Sequence, residues 1–192
     1  MNYPGANTGL DYLITEAQTR WYAQAQSVWG VTDSTYNCFG RAYRNKYDDG
    51  YIAECFFGGQ YVSGNGSYAG GLGFEDTLSA VSWFGLTDPV KQTNIRDYEA
   101  NLQLIFCVNL NDLYPGNTTE RLDDKVIFDV VNWFNISKAS GLNVTAVYRD
   151  VDKVFEKYSG TFKRNMLTKD MQPLCCFRID MSLFYNPFLN SK

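Results

Sequence analysis

Three stretches of this sequence predict an α+β domain, in which a mixed, mainly antiparallel β-sheet carries two or three helices packed on it. The first is residues 96–109, where Tyr98, Ala100, Leu102, Leu104, Phe106 and Val108 fall on one side of an extended chain and Glu99, Asn101, Gln103 and Asn109 on the other. Ile105 and Cys107 interrupt the polar side, so the middle of this strand is expected to be covered on both faces, as in a central strand. The second is residues 174–185, where Phe177, Ile179, Met181 and Leu183 alternate with Arg178, Asp180 and Ser182; the two strands together predict the sheet centre. The third is residues 7–29, where Leu10, Leu13, Ile14, Ala17, Trp21, Ala25 and Val28 recur at helical spacing behind a Thr8 N-cap, and Gly30 closes the helix. Tyr22 and Trp29 lie off that stripe and are candidates for contact outside the core.

Between the first helix and the long strand, residues 35–43 and 51–57 read as a hairpin joined by RNKYDDG, with Asp48 and Asp49 as turn formers and not as an acid–base pair. Residues 58–73, GGQYVSGNGSYAGGLG, hold seven glycines in sixteen positions. Ordering such a backbone costs on the order of 1–2 kcal/mol per residue, so the stretch is expected to lack regular structure and to be fixed only by a neighbour, through Tyr61, Tyr68 and Leu72. No Gly-Lys-Ser/Thr follows it, which excludes a phosphate cradle. Residues 74–86 include a short strand with Leu78, Ala80 and Phe84 on one side and Val81 and Trp83 on the other, broken by Asp88-Pro89.

Beyond the long strand, Thr118 or Thr119 is expected to cap a second helix, with Glu120, Asp123 and Asp124 in its first turn. Its apolar face (Leu122, Val126, Ile127, Val130, Val131, Trp133, Phe134) should lie flat on the sheet. Residues 142–148 return as a strand, and Asp150 opens a short third helix with Val151, Val154, Phe155 and Tyr158 inward. Lys153, Lys157, Lys163, Arg164 and Lys169 read as a solvated basic face. The whole is expected to be one domain over 1–192, with 1–30 an N-terminal helix, 58–73 a glycine-rich insertion and 74–192 the core, since a chain of this size buries roughly 70% of its unfolded surface.

The chemistry is defined by what is missing. Histidine is absent, which removes Ser-His-Asp and Cys-His catalysis and the commonest metal ligand. The carboxylate pairs Glu75-Asp76, Asp123-Asp124 and Asp150-Asp152 each sit where a turn or helix start accounts for them. Cys38, Cys55, Cys107, Cys175 and Cys176 are odd in number and lack metal-ligand spacing, which suits free thiols in a reducing compartment. No enzyme activity, cofactor or metal is expected. A net charge of -4 disfavours nucleic-acid backbone or an anionic membrane as the main partner. The opening MNYPGANTG has neither a basic start nor an apolar run, so no secretion signal is expected and the chain should fold in a cytosol. With 14 Tyr and 13 Phe, more rings are present than a core of this size needs, which points toward an interface.

From about Glu75 onward the order is a short strand, a long strand ending in VNLNDLYP, the acidic-capped helix TTERLDDKVIFDVVNWF, a strand, the short helix DVDKVFEKY, and a final strand introduced by DMQPLCCFRIDMSLFYN. This order resembles the tail-terminator, or tail-completion, proteins of tailed bacteriophages, and looks most like the versions carried by phages and prophages of Bacteroidetes. The resemblance implies a structural virion protein of the tail or neck. Its copies would form a ring, a hexamer or else a dodecamer, that caps the tail tube and joins it to the head–tail connector, after assembly in the host cytoplasm. It implies no catalytic residues; no cofactor or metal is expected, and the acidic charge sets the expectation of no membrane and no sequence-specific nucleic acid. The alternative is a non-viral or host-recognition module that binds glycan or protein through exposed Tyr and Trp.

Overall fold

The computed structural model describes residues 9–47, 50–63, 72, 77–117, 119–137, 141–160 and 173–186. In chain order the elements are α1 (Gly9–Trp29), β1 (Tyr36–Tyr47), β2 (Gly50–Phe57), β3 (Gln60–Ser63), β4 (Ala80–Leu86), β5 (Lys91–Gln92) and β6 (Tyr98–Asn109). They continue with α2 (Leu110–Leu113), α3 (Leu122–Ser137), β7 (Leu142–Tyr148), α4 (Val151–Val154) and β8 (Leu174–Tyr185). The strands form one sheet in the order β3-β2-β1-β4-β6-β8-β7, with β5 on the start of β6. β1 and β4 run parallel and the other pairings are antiparallel, so the α+β class and the mainly antiparallel sheet are as the periodicity indicates.

β6 is the central strand. It pairs with β4 on one side and along its whole length with β8 on the other, from Tyr98 opposite Tyr185 to Asn109 opposite Leu174. One face of the sheet is covered by α1, α2 and α3, which bury Ala100, Leu102, Leu104, Phe106 and Val108 of β6 with Phe177, Ile179, Met181 and Leu183 of β8. The other face buries Val81, Trp83, Ile105 and Cys107 against Val151, Val154, Phe155 and Tyr158, the inward positions read for the segment that Asp150 opens. Trp21 is the hub of the helix side, with ring centroids 5.1 Å from Trp29, 5.8 Å from Phe106 and 5.5 Å from Trp133.

Several boundaries differ from expectation. β1 extends to Tyr47 because Arg44, Asn45 and Lys46 pair with Ala53, Ile52 and Tyr51; the ladder satisfies the backbone whatever the side chains are. The connection therefore shrinks to Asp48 and Asp49, which lie outside the described residues. Between Cys38 and Arg41 the register of β1 against β4 shifts, and this bulge carries β1 from its parallel partner into the β1–β2 hairpin. Leu78 joins the cluster with Val81 and Trp83, and not Ala80 and Phe84, because the strand begins only at Ala80. α3 starts at Leu122, leaving Glu120 ahead of it, while the Thr119 amide donates to Asn117 Oδ1 at 3.1 Å; Thr118 is outside the described residues. α2 was not expected from the sequence: Asn109 caps it by accepting from the Asn111 amide.

Two glycines are dictated by close approach. A Cβ on Gly85 would run into Tyr158 Oη and lie 2.9 Å from Gln103 Nε2, and one on Gly50 would lie 2.7 Å from the Gly160 amide nitrogen. The segment 151–160 thus sits directly on the backbone of β4 and β2.

Candidate interaction surface

Arg178, pointing from β8 to the face that 151–160 covers, is buried: Nη1 donates to the Lys153 carbonyl at 2.5 Å and lies 3.4 Å from Glu156 Oε2, Nη2 donates to Asp180 Oδ2 at 3.3 Å, and the guanidinium lies 4.3 Å from the Tyr148 ring centroid. Nε is 2.9 Å from Asp180 Oδ1, an ion pair without hydrogen-bond alignment. Burial raises the Asp180 carboxyl above its usual range against the opposing pull of Arg178, and burial pushes the Tyr158 phenol up to about 12. This group acts as a clasp: one cation ties 151–160 to the sheet.

Burial also raises the thiols of Cys38, Cys55 and Cys175. Burial pushes Cys38 up to about 11 and Cys175 up to about 12, away from the thiolate that a nucleophile requires. Cys175 and Cys176 pack against opposite faces of the sheet, as adjacent strand residues do. The acids have structural partners. Asp123 and Asp124 bind Arg121 and Arg149, and Asp150 caps α4 by accepting from the Asp152 amide at 3.0 Å. Glu75 and Asp76 lie outside the described residues. Among the described residues no three Cys, Asp or Glu side chains converge on a point where a metal ion would bind.

The five residues expected at an interface divide. Trp29 is corrected: it is buried in the helix-side core and its Nε1 donates to Tyr114 Oη at 2.9 Å, with Tyr114 donating on to Asp129 at 2.7 Å. A long ring in the last helical turn reaches back over the core, so lying off the stripe did not expose it. Leu72 is corrected likewise, being buried with Val62 and Leu78 inside the subunit. Tyr22 is half-buried, packed against Tyr36 and donating to Asp33, and walls a cavity of about 280 Å³ with Gln18, Cys38 and Phe57. Tyr61 remains 50% exposed, but on strand β3 paired to β2, so residues 60–63 are regular structure within the stretch expected to lack it. Tyr68 lies outside the described residues.

Another uncovered apolar surface lies on α3. α3 buries Val126, Ile127, Val130 and Phe134, and its outer side carries Phe128, 65% exposed, and Ile136, 71% exposed. Phe128, Asn132 and Ile136 form a ridge at i, i+4, i+8. On one side of the ridge a cleft of about 650 Å³ opens toward β7, walled by Ile127, Phe128, Val131 and Val147. On the other a cleft of about 320 Å³ opens toward α1, walled by Val28, Trp133 and Ile136 with Gln24 and Asp129. β7 ends the sheet order beside this surface, so among the described residues its outer backbone edge has no strand partner. The signal for this surface is present in the sequence: Phe128 and Ile136 are apolar positions outside the stripe that the core accounts for.

Comparison with known proteins finds no matching family model, no similar curated protein and no similar solved structure. No described helix is long and apolar enough to cross a membrane.

Proposed function

We propose that this chain is a structural virion protein of a bacteriophage tail or neck. In this reading it is a tail terminator whose copies form a ring, a hexamer or a dodecamer, that caps the tail tube and joins it to the head–tail connector without performing a reaction. The order of elements from Glu75 to Tyr185, with the quoted words VNLNDLYP and TTERLDDKVIFDVVNWF, supports the family resemblance. The observation that carries assembly is the ridge of α3 with its two clefts. Phe128 and Ile136, with Val28 beside one cleft and Val147 in the other, form an apolar surface that a lone subunit would leave in water.

Assembly follows from the hydrophobic effect and from geometry. Covering an apolar side chain contributes about 1.5–3 kcal/mol, and a stable contact needs about 800 Å² from each partner, which a helix ridge and its clefts can nucleate. The test is native mass spectrometry with negative-stain imaging of the purified chain. Closed rings are expected from the wild type, and single chains with unchanged circular dichroism from Phe128→Asp/Ile136→Asp. A wild type that stays single at high concentration overturns the proposal.

A further inference from the structure

Cys107 and Cys176 stand directly opposite each other on the paired strands β6 and β8. The backbone bonds show which kind of opposition this is. The Leu110 amide donates to the Pro173 carbonyl at 2.9 Å, toward β8, and the Asn109 amide donates to the Ser79 carbonyl at 2.9 Å, toward β4. Successive amides of an extended strand point to opposite edges, so even-numbered residues of β6 bond β8 and odd-numbered ones bond β4. Cys107 therefore meets Cys176 as a non-hydrogen-bonded pair, the closer of the two kinds, with opposed Cα atoms about 4.5 Å apart. A disulfide spans Cα separations of about 4.4–6.8 Å, so the ladder already holds these two cysteines within bonding range.

We infer that Cys107 and Cys176 are a dithiol that closes to a cross-strand disulfide when the chain meets a small-molecule disulfide such as glutathione disulfide. This stands apart from the ring reading. Of the five cysteines, all free, no other two are opposed in the sheet: Cys38 faces Ser82, Cys55 faces Ala42 and Val62, and Cys175 faces Val108. The side chains agree with the register. Both lie on the face that 151–160 covers, packed in the cluster with Val151, Val154 and Phe155. The Cys107 thiol beside it, with burial second, holds the Cys176 thiol well above the usual range. Cys175, one residue earlier, packs on the other face and is out of reach of Cys107.

The oxidation is a pair of thiol–disulfide exchanges. Cys107 is 2% exposed while Cys176 is half-buried, so Cys176 is the thiol that a small disulfide reaches first. Its sulfur gives up a proton and attacks one sulfur of the small disulfide; a mixed disulfide forms and one thiolate leaves. Cys107 then gives up its proton and attacks Cys176 Sγ, which forms the protein disulfide and expels the second thiolate. The two departing thiolates take up the two protons, so two protein thiols are oxidised and one small disulfide is reduced to two thiols. A raised thiol holds little thiolate, which makes the first step slow. The product ties β6 to β8 across a loop of about 70 residues and so restricts the unfolded chain.

The experiment incubates the folded, reduced full-length chain with glutathione disulfide and reads intact mass, non-reducing peptide maps and thermal unfolding, before and after dithiothreitol. The expected product is one intramolecular disulfide that joins the Cys107 and Cys176 peptides, leaves circular dichroism unchanged, and raises Tm by about 5–15 °C until it is reduced. Cys107→Ser should stop at the mixed disulfide on Cys176, and Cys176→Ser should form no disulfide at this site. Cys107→Ala replaces the serine variant if that one does not fold, and the wild-type map decides without either. A wild type that stays fully reduced, that carries glutathione without closing, or that joins other cysteines overturns the inference and leaves the ring reading standing.

Discussion

The two faces of the sheet are closed by different means. On the helix side, α1 and α3 bring long apolar stripes, and the polar tips among the aromatic rings find partners: Trp21 Nε1 donates to Tyr36 Oη at 2.8 Å, Tyr36 Oη lies 2.7 Å from Ser82 Oγ, and Trp29 reaches Tyr114. On the opposite side a ten-residue segment, 151–160, covers a mixed set of side chains, with Gln103, Ile105 and Cys107 on β6 and Cys176, Arg178 and Asp180 on β8. Gln103 is buried there beside Tyr158 with neither amide atom in an aligned hydrogen bond, and the Trp83 indole nitrogen is unpaired as well. A helix covers several strands with one continuous stripe. A short segment covers what it can reach, and polar residues beneath it, Gln103 and Arg178, are buried as well.

The largest break in this comparison is Trp21→Ala. Removing the ring at the hub of the helix side should destabilise the fold by about 3–5 kcal/mol in urea unfolding, and a loss below about 2 kcal/mol would mean that the helices do not dominate stability. Gly85→Ala comes next. The added methyl meets Tyr158 Oη and Gln103, so the cost should be about 1–3 kcal/mol, and combining it with Tyr158→Phe should recover part of that cost in a double-mutant cycle. Strict additivity of the two changes would show that 151–160 does not rest on β4 as described. The smallest effect belongs to Gln103→Leu, which removes two unpaired buried polar atoms. Stability should change by less than about 1 kcal/mol and rise if it moves at all, whereas a clear loss would mean that the amide is satisfied in solution.

Legibility followed the range of the interactions. β6, β7 and β8 and the inward residues of 151–158 could be read directly, because alternation and a capping Asp150 are local facts. The helical stripe of α1 was legible for the same reason from Leu10 to Ala25, but its end was not: Val28, expected inward, is 44% exposed, and Trp29 is buried instead, with its partner Tyr114 85 residues away. Tyr22 and Tyr61 keep exposed surface, while Leu72 lies in the core of its own subunit. Phe128 and Ile136 stand off the core-facing stripe of α3 in the sequence, but whether another part of the chain covers them is not a local property.

The pattern of residues by itself determined the α+β class, the central strand and the direction in which most strand side chains point, since these depend on periods of two and 3.6 along the chain. Only the tertiary structure decided which apolar groups are spent inside the subunit and which stand uncovered, and that Arg178 and Gln103 lie beneath a covering segment. Burial depends on what the rest of the chain brings to a site, and that is a property of the folded whole.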